Sequence, residues 1–556
     1  MHTLRMRIPA QLVQFNRQQP LLAVTVLFVS GVGIGYRFPS VNVWLCAAGF
    51  GLCLAWVALR RGVFRSARIG LTDVVILALG VLLAGMGRVA WNTGKITREI
   101  KTLEAFDRAQ TFVCRVMSAP TATPIGGGRV RYTFDVGGVS WNDGGKGSHL
   151  HYLPVSVNWY GNLSDRYAAP HPGEMWRLTG RARVIVRQNG QNHAYISASK
   201  GEKVSLRLTP LRGTWQGRLT RVQAEAARRV ARGVEDWDVV PALNQAMLLG
   251  CRNEMPEEMR RVFAASGTIH VFAISGLHIA LVAGVLVFFV QLTGLRRLNW
   301  VYAVVPLLIA YTLVTGARPS AVRACCMAAC MLLAPLLGRR PNGISALLAT
   351  ALAFHLWQPS LITNAGSVLS FAVMAGLMVF VPHFSAILRR WLGYHALQNR
   401  HVMLKAAGAD VRWREWGATG VRYVADVLAV SVAAWLVSVP LTGYYFGRVP
   451  IGGLLANPVV TSCAFMIVTA GCIGMLAGLF STWVAVCFNN AAGFFTMIMV
   501  RTAETVASVK VLSLETGNWA GWAVALWFAV LAALAAWLHT RKRTDDGFEW
   551  LEGGGT

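Results

Sequence analysis

Long apolar runs fill most of this chain, and one long polar stretch interrupts them. Runs at 21–36, 43–59 and 72–90 come first. After the interruption, further runs lie at 268–295, 301–315, 321–337, 344–357, 361–381, 424–443, 452–479, 482–500 and 519–538. Most are near the ~17–25 residues that a helix needs to cross a bilayer, so the pattern predicts about 12 spans or re-entrant helices. Between Trp91 and Asp238 the period changes. Short alternating runs appear there: TFVCRV from Thr111, RVRYTFDVGGV from Arg129, LPVSVNWYG from Leu153, EMWRLTGRARVIV from Glu174 and HAYISAS from His193. Gly, Asn, Asp and Pro clusters separate them, which predicts a small all-β domain of about five strands. A five-stranded OB-like barrel fits that count, and an SH3-like barrel fits almost as well. A helix rich in arginine follows, with Arg218, Arg221, Arg228, Arg229 and Arg232.

The predicted fold is therefore a polytopic α-helical membrane protein with an extracytoplasmic, OB-like β-barrel. Its expected parts are a three-span anchor (1–90), the β-domain (91–212), a basic amphipathic connector (213–262), a transmembrane channel domain (263–541) and a cytoplasmic tail (542–556). Composition agrees: of 556 residues, 54% are hydrophobic and only 14% charged, which excludes an ordinary soluble domain.

Charge adds orientation and a class of partner. Arg60, Arg61, Arg65 and Arg68 lie between the second and third runs, whereas only Arg37 lies between the first and second. The positive-inside rule then puts the N-terminus in the cytoplasm and the β-domain outside. The basic start (Arg5, Arg7, Arg17) leads into a retained anchor, since more spans follow at once. Lys and Arg total 53 against 25 Asp and Glu, a formal net charge of +28. Positive-inside bias explains part of that excess; the rest points to an anionic partner, lipid or nucleic acid.

The chemistry-bearing residues exclude several classes. Acidic residues are nearly absent from the later runs, against a proton- or sodium-coupled transporter or a cation pore. No GxxxxGK[ST] stands in the chain, so it hydrolyses no nucleotide through a P-loop. Eight of ten cysteines lie in apolar runs, and no CxxC has a histidine partner. Arg318, Arg323 and Arg448 near the ends of spans suit an anion path, although each alone could snorkel to headgroups.

The segment HVFAISGLHIALVAG, from His270, places two histidines and a Ser-Gly pair at the head of an apolar run. Four explanations are open: a His270–His278 metal pair, a nucleophilic Ser275, close helix packing, or a broken helix whose freed backbone lines a wet cavity. Further breaks occur at TGARPSAVRA from Thr315, TNAGSVLSFAV from Thr363, SVPLTGYYFG from Ser438 and LLANPVV from Leu454. Several such breaks carrying Ser, Asn and Arg point to a polar lumen.

These blocks carry a resemblance. LLGCRNEMPEEMRRVFAASGTIHVFAISGLHIALVAG, TGARPSAVRA, NAGSVLSFAVMAGL and SVPLTGYYFGRVPIGGLLANPVV, in that order, resemble the hallmark segments of the ComEC family of competence proteins, DNA-uptake channels of the bacterial inner membrane. In the third block Ser367-Val368 replaces the family's usual Phe-Gln. Many members add a metallo-β-lactamase-like domain, but this chain has no HxHxDH motif and resembles the shorter form without it. A disulfide found in the outer domain of some members lacks a partner for Cys114 within that domain here.

The resemblance implies transport of single-stranded DNA across the cytoplasmic membrane in natural transformation. It implies no enzyme activity and no cofactor. It implies as partners a periplasmic or surface DNA receptor, a cytosolic helicase or single-strand-binding proteins, and the lipid bilayer. The expected DNA path in the membrane comprises His270, Ser275, Gly276, His278, Arg318, Arg323, Ser370, Arg448 and Asn457. On the β-domain, Arg129, Arg131, Arg177, Arg181 and Arg183 would hold the backbone, and Tyr132, Trp159, Tyr160 and Trp176 would stack on bases or fill the barrel core. The basic stretch from Arg389 to Arg422 would dock a cytosolic partner or serve as a topology signal. The alternatives are a transporter or flippase for another polyanion or lipid, a membrane hydrolase using Ser275 and His278, and an assembly scaffold.

Overall fold

The computed structural model describes residues 20–37, 43, 46–53, 71–104, 109–117, 121–126, 129–143, 146–150, 155–162, 174–185, 193–203, 215–251, 255–296, 299–393 and 412–552. Its helices in chain order are α1 (Pro20–Arg37), α2 (Leu71–Glu104), α3 (Trp215–Ala231), α4 (Val240–Leu249), α5 (Glu257–Ala265), α6 (Gly276–Leu292) and α7 (Trp300–Val314). There follow α8 (Pro319–Leu333), α9 (Gly343–Trp357), α10 (Ala365–Trp391), α11 (Arg412–Phe446), α12 (Gly452–Ala477), α13 (Thr482–Ser508) and α14 (Gly521–Glu552). Among the described residues, seven helices are long and apolar enough to cross a membrane, and five apolar helices are shorter. This is a multi-pass membrane protein.

The chain forms two compact units. One holds residues 1–228, 309–317 and 329–364; the other holds 229–308, 318–328 and 365–556. The first therefore takes α9 from the far half of the sequence and packs it on α1. Thr25 Oγ1 donates to Leu348 O at 3.3 Å, and Arg88 caps the end of α9 through Leu356 O and Trp357 O, both at 2.8 Å. α1 and α2 meet at glycines: a Cβ on Gly31 would stand 2.1 Å from Leu82 O, and one on Gly85 2.3 Å from Phe28 O. Small residues let helix backbones approach this closely in lipid, where packing replaces the hydrophobic effect as the driving force.

α2 continues beyond its apolar part. Ile96, Ile100 and Leu103 recur at helical spacing and pack into the core of the β-domain. That domain is built from β1 (Gln110–Val116), β2 (Thr121–Gly126), β3 (Arg129–Asp143), β4 (Lys146–Leu150), β5 (Val155–Asn162), β6 (Met175–Ile185) and β7 (His193–Lys203). β1 pairs antiparallel with β3 and with β6. β3 pairs antiparallel with β5, and β6 with β7. β5 runs parallel to β7 and closes the ring β1–β3–β5–β7–β6. A closed five-stranded barrel whose third and fifth strands are parallel is the OB arrangement, which settles it against the SH3-like alternative. β2 and β4 extend β3 as additional antiparallel partners.

In the second unit, α10 packs on α11 and α12 on α13. Strands β8 (Arg448–Pro450) and β9 (Ser513–Glu515) form a small antiparallel sheet. The expected run from 268 to 295 is not one helix. A 3-10 turn at Ile269–Phe272 gives way to extended backbone at Ala273 and Ser275, and α6 begins only at Gly276.

Candidate functional site

Strand alternation sorts the barrel residues into two faces. On β3, Val130, Tyr132, Phe134 and Val136 are buried, whereas Arg129 and Arg131 are exposed. On β5, Val155, Val157 and Trp159 are buried and Tyr160 is 43% exposed. Each large side chain fully buried stabilises by about 1.5–3 kcal/mol, so the apolar parity must turn inward. This corrects the expectation for three aromatics. Tyr132, Trp159 and Trp176 are 3%, 7% and 4% exposed, and they stack on one another inside the barrel. Trp176 also donates from Nε1 to Glu174 Oε2 at 2.9 Å. As placed, none of the three offers a ring face to a base. Their parity with Val130, Val157 and Leu178 was the available signal.

The outer face keeps the remaining candidates. Arg131 stands opposite Tyr160 on β5 and opposite Thr123 on β2. Arg129 stands opposite Asn162. These positions lie on the second and third strands of the barrel, the surface that OB folds present to oligonucleotides. Farther along this face, Thr133 Oγ1 donates to Asn158 Oδ1 at 2.9 Å. Beyond it, Ser156 Oγ donates to Asp135 Oδ1 at 2.6 Å and lies 2.7 Å from His193 Nε2. Arg177, Arg181 and Arg183 are exposed on β6, the fourth strand of the barrel. Cys114 lies fully buried and unbridged in the barrel core, and burial pushes its thiol up to about 12.

In the second unit, the break before α6 gathers five of the nine predicted path residues. Ser275 caps α6 by a capping box in which its side chain accepts the N–H of His278. In return the Ser275 N–H donates to His278 Nδ1 at 3.3 Å, and Ser275 Oγ lies 3.0 Å from the same nitrogen. Histidine here fills the position that Glu or Gln holds in the usual box. His278 is 2% exposed. Ser320, one turn before Arg323 on α8, donates to Ile274 O at 2.8 Å and ties α8 to this break. Arg323 is 4% exposed; its Nη1 donates to Ser370 O on α10 at 2.5 Å, and its guanidinium lies 5.4 Å from the centre of the Phe371 ring.

The other four path candidates lie apart from this cluster. Arg318 donates from Nη2 to Gly250 O at 3.4 Å, at the C-terminus of α4. Arg448 pairs with Glu515 at 2.7 Å across the β8–β9 sheet and is exposed, so its charge is already partnered. His270 Nδ1 lies 3.2 Å from Gly267 O. Asn457 sits beside the close approach of Gly453 to Gly267, and its Oδ1 is buried without a partner. The basic stretch is also partly paired. Arg389 grips Asp426 with Nε and Nη2, Ser385 donates to the same carboxylate, and Arg422 lies 3.9 Å from it. Residues 394–411 lie outside the described residues.

Sequence reasoning passed over Ser320, Asn489 and the Asn244–Thr496 pair. Asn489 Nδ2 donates to Arg229 O at 2.8 Å and Arg232 O at 3.0 Å, and Thr496 Oγ1 donates to Asn244 Oδ1 at 2.6 Å. Nothing local marks them, since each partner lies far away along the chain.

A helical membrane protein carrying an OB barrel, with a capped helix break beside a buried arginine, is thus the class defined by fold and site. Residues 247–541 match the family described as Competence protein, and the chain belongs to that family. It is 30% identical over 143 residues to ComE operon protein 3 of Bacillus subtilis (strain 168), a stretch covering 26% of this chain and 18% of that protein. Among solved structures, it is similar to a small single-stranded DNA-binding protein from Streptomyces coelicolor at 19% identity and a TM-score of 0.14. That match covers 18% of this chain and 96% of that one.

Proposed function

We propose that this protein carries single-stranded DNA across the cytoplasmic membrane during natural transformation, with its N-terminus inside and its barrel outside. The observation that carries the reading is family membership over the helical half, joined to an OB barrel whose second- and third-strand face bears Arg129, Arg131 and Tyr160. The barrel receives the strand electrostatically, and the helical half conducts it. Inward movement of DNA opposes an inside-negative potential by about 2.3 kcal/mol per charge per 100 mV. A receptor outside would supply the strand, and a cytosolic helicase or single-strand-binding proteins would supply the pull.

The Ser275–His278 contact favours one other reading, a membrane hydrolase with Ser275 as nucleophile. A transporter or flippase for another polyanion or lipid is the remaining alternative. The test supplies labelled duplex DNA to competent cells with and without the gene. It counts DNA outside the inner membrane separately from DNA in the cytoplasm. The expected result is intact outer uptake and lost cytoplasmic arrival in the deletion strain. Unchanged cytoplasmic arrival would overturn the reading.

A further inference from the structure

The capping box satisfies two of the four amide donors at the start of α6, those of Ser275 and His278. The amides of Gly276 and Leu277 have no acceptor among the described residues. The first turn of a helix also carries about half a positive elementary charge. Gly276 has no side chain, so nothing of its own covers these donors.

Arg323 faces the same spot. Its Nη2 lies 3.9 Å from the point a Cβ on Gly276 would occupy. Its Nε is buried without a hydrogen-bond partner. No carboxylate pairs with Arg323 among the described residues, and its one hydrogen bond is to the neutral carbonyl of Ser370. A guanidinium inside a membrane protein is costly unless something negative meets it, and such residues mark ion and substrate pathways. Here a buried cation and a positive helix terminus converge, and no anion of the protein answers either.

We propose that the Gly276 and Leu277 amides and Arg323 form a binding station for one phosphodiester of the passing strand. The station rests on the DNA-import reading and adds the group it holds. Paired amides at a helix N-terminus plus a guanidinium fork match a tetrahedral oxyanion with two free oxygens. Contact is made only to the backbone, so passage is independent of base sequence. A single station also releases its phosphate readily, as conduction requires. Phospholipid headgroups carry the same phosphodiester. The enclosure of Arg323 by α6, α8 and α10, at 4% exposure, favours a thin strand over a two-chain lipid.

Gly276→Ala is the decisive variant. The new methyl would meet Met374 Cε at 3.5 Å and Ala324 Cβ at 3.9 Å, ordinary contacts, so the fold accepts it. The same methyl intrudes between the amides and Arg323. Gly276→Ala, Arg323→Gln and Arg323→Lys are expressed at matched levels in place of the wild-type gene. Gly276→Ala and Arg323→Gln are each expected to lower cytoplasmic arrival of labelled DNA by about tenfold, the size of one charge-assisted contact, with outer uptake unchanged. Arg323→Lys is expected to fall between. For purified full-length protein in phosphatidylcholine nanodiscs, the log–log salt slope of oligo-dT binding should shrink by about 0.7 in Arg323→Gln, one phosphate fewer.

Normal arrival with Gly276→Ala alongside loss with Arg323→Gln would overturn the station and leave Arg323 only positioning α10 through Ser370. Phosphatidylglycerol retained by the wild type, lost from Arg323→Gln in native mass spectrometry, with unchanged DNA arrival, would assign the site to lipid and overturn the strand proposal. Failure of the wild-type gene itself to support arrival would instead remove the import reading, and the station with it.

Discussion

His278 accepts from the Ser275 amide at Nδ1, so the neutral ring carries its proton on Nε2 and acts as the acceptor in a capping box. That use of the Ser–His contact and nucleophilic use of Ser275 are separable by substitution. Asn caps a helix about as well as Ser, whereas Ala forfeits the cap at about 0.5–2 kcal/mol. Ser275→Asn is therefore expected to keep near-wild-type DNA arrival, and Ser275→Ala to lose part of it. Complete loss in both, scored in the transformation assay, would show that the hydroxyl does chemistry. Part of this site was legible at the residue scale. The Ser-Gly-x-His spacing marked the break, and Arg323 stood out as a charge in an apolar run. Ser320, which fixes α8 against the break, was not legible because its partner Ile274 is remote in sequence.

At the scale of elements, α1 and α2 behave as one body because Gly31 and Gly85 bring their backbones together. Gly31→Leu puts a branched side chain where even a Cβ would collide with Leu82 O. Overpacking of this kind costs about 1–3 kcal/mol, so the full-length protein in detergent should unfold at a lower temperature, followed by tryptophan fluorescence. An unchanged transition would mean that the two helices do not hold each other as described. The apolar runs announced most of these helices. They did not announce that α9 packs with α1, because contacts between spans are made by side chains that look alike to a periodicity count. The strands were legible from alternation, and so was the inward parity of Tyr132 and Trp159. Base stacking had been weighed for those rings because aromatic residues serve both roles; burial in the barrel removes them from the surface.

For the whole molecule, net charge and architecture meet in DNA binding. The exposed Arg129 and Arg131 on the barrel face should each account for one phosphate. Arg129→Gln with Arg131→Gln is expected to reduce the salt slope of oligo-dT binding by about 1.4 in total, at about 0.7 per contact. Titration of the full-length protein at several salt concentrations checks this. A slope equal to that of the wild type would move the DNA face elsewhere, to Arg177, Arg181 and Arg183 on β6. The sequence by itself determined the membrane character, the order of helices, the position of the β-domain and the residues at each break, because hydrophobic period and special backbone residues are local properties. Only the tertiary structure decided the barrel's closure through the parallel β5–β7 pair, the burial of its aromatic spine and the pairing of Arg448 with Glu515. It also decided the meeting of Arg323 with the start of α6. Each of these depends on which distant residues become neighbours, and that is fixed by packing rather than by the pattern along the chain.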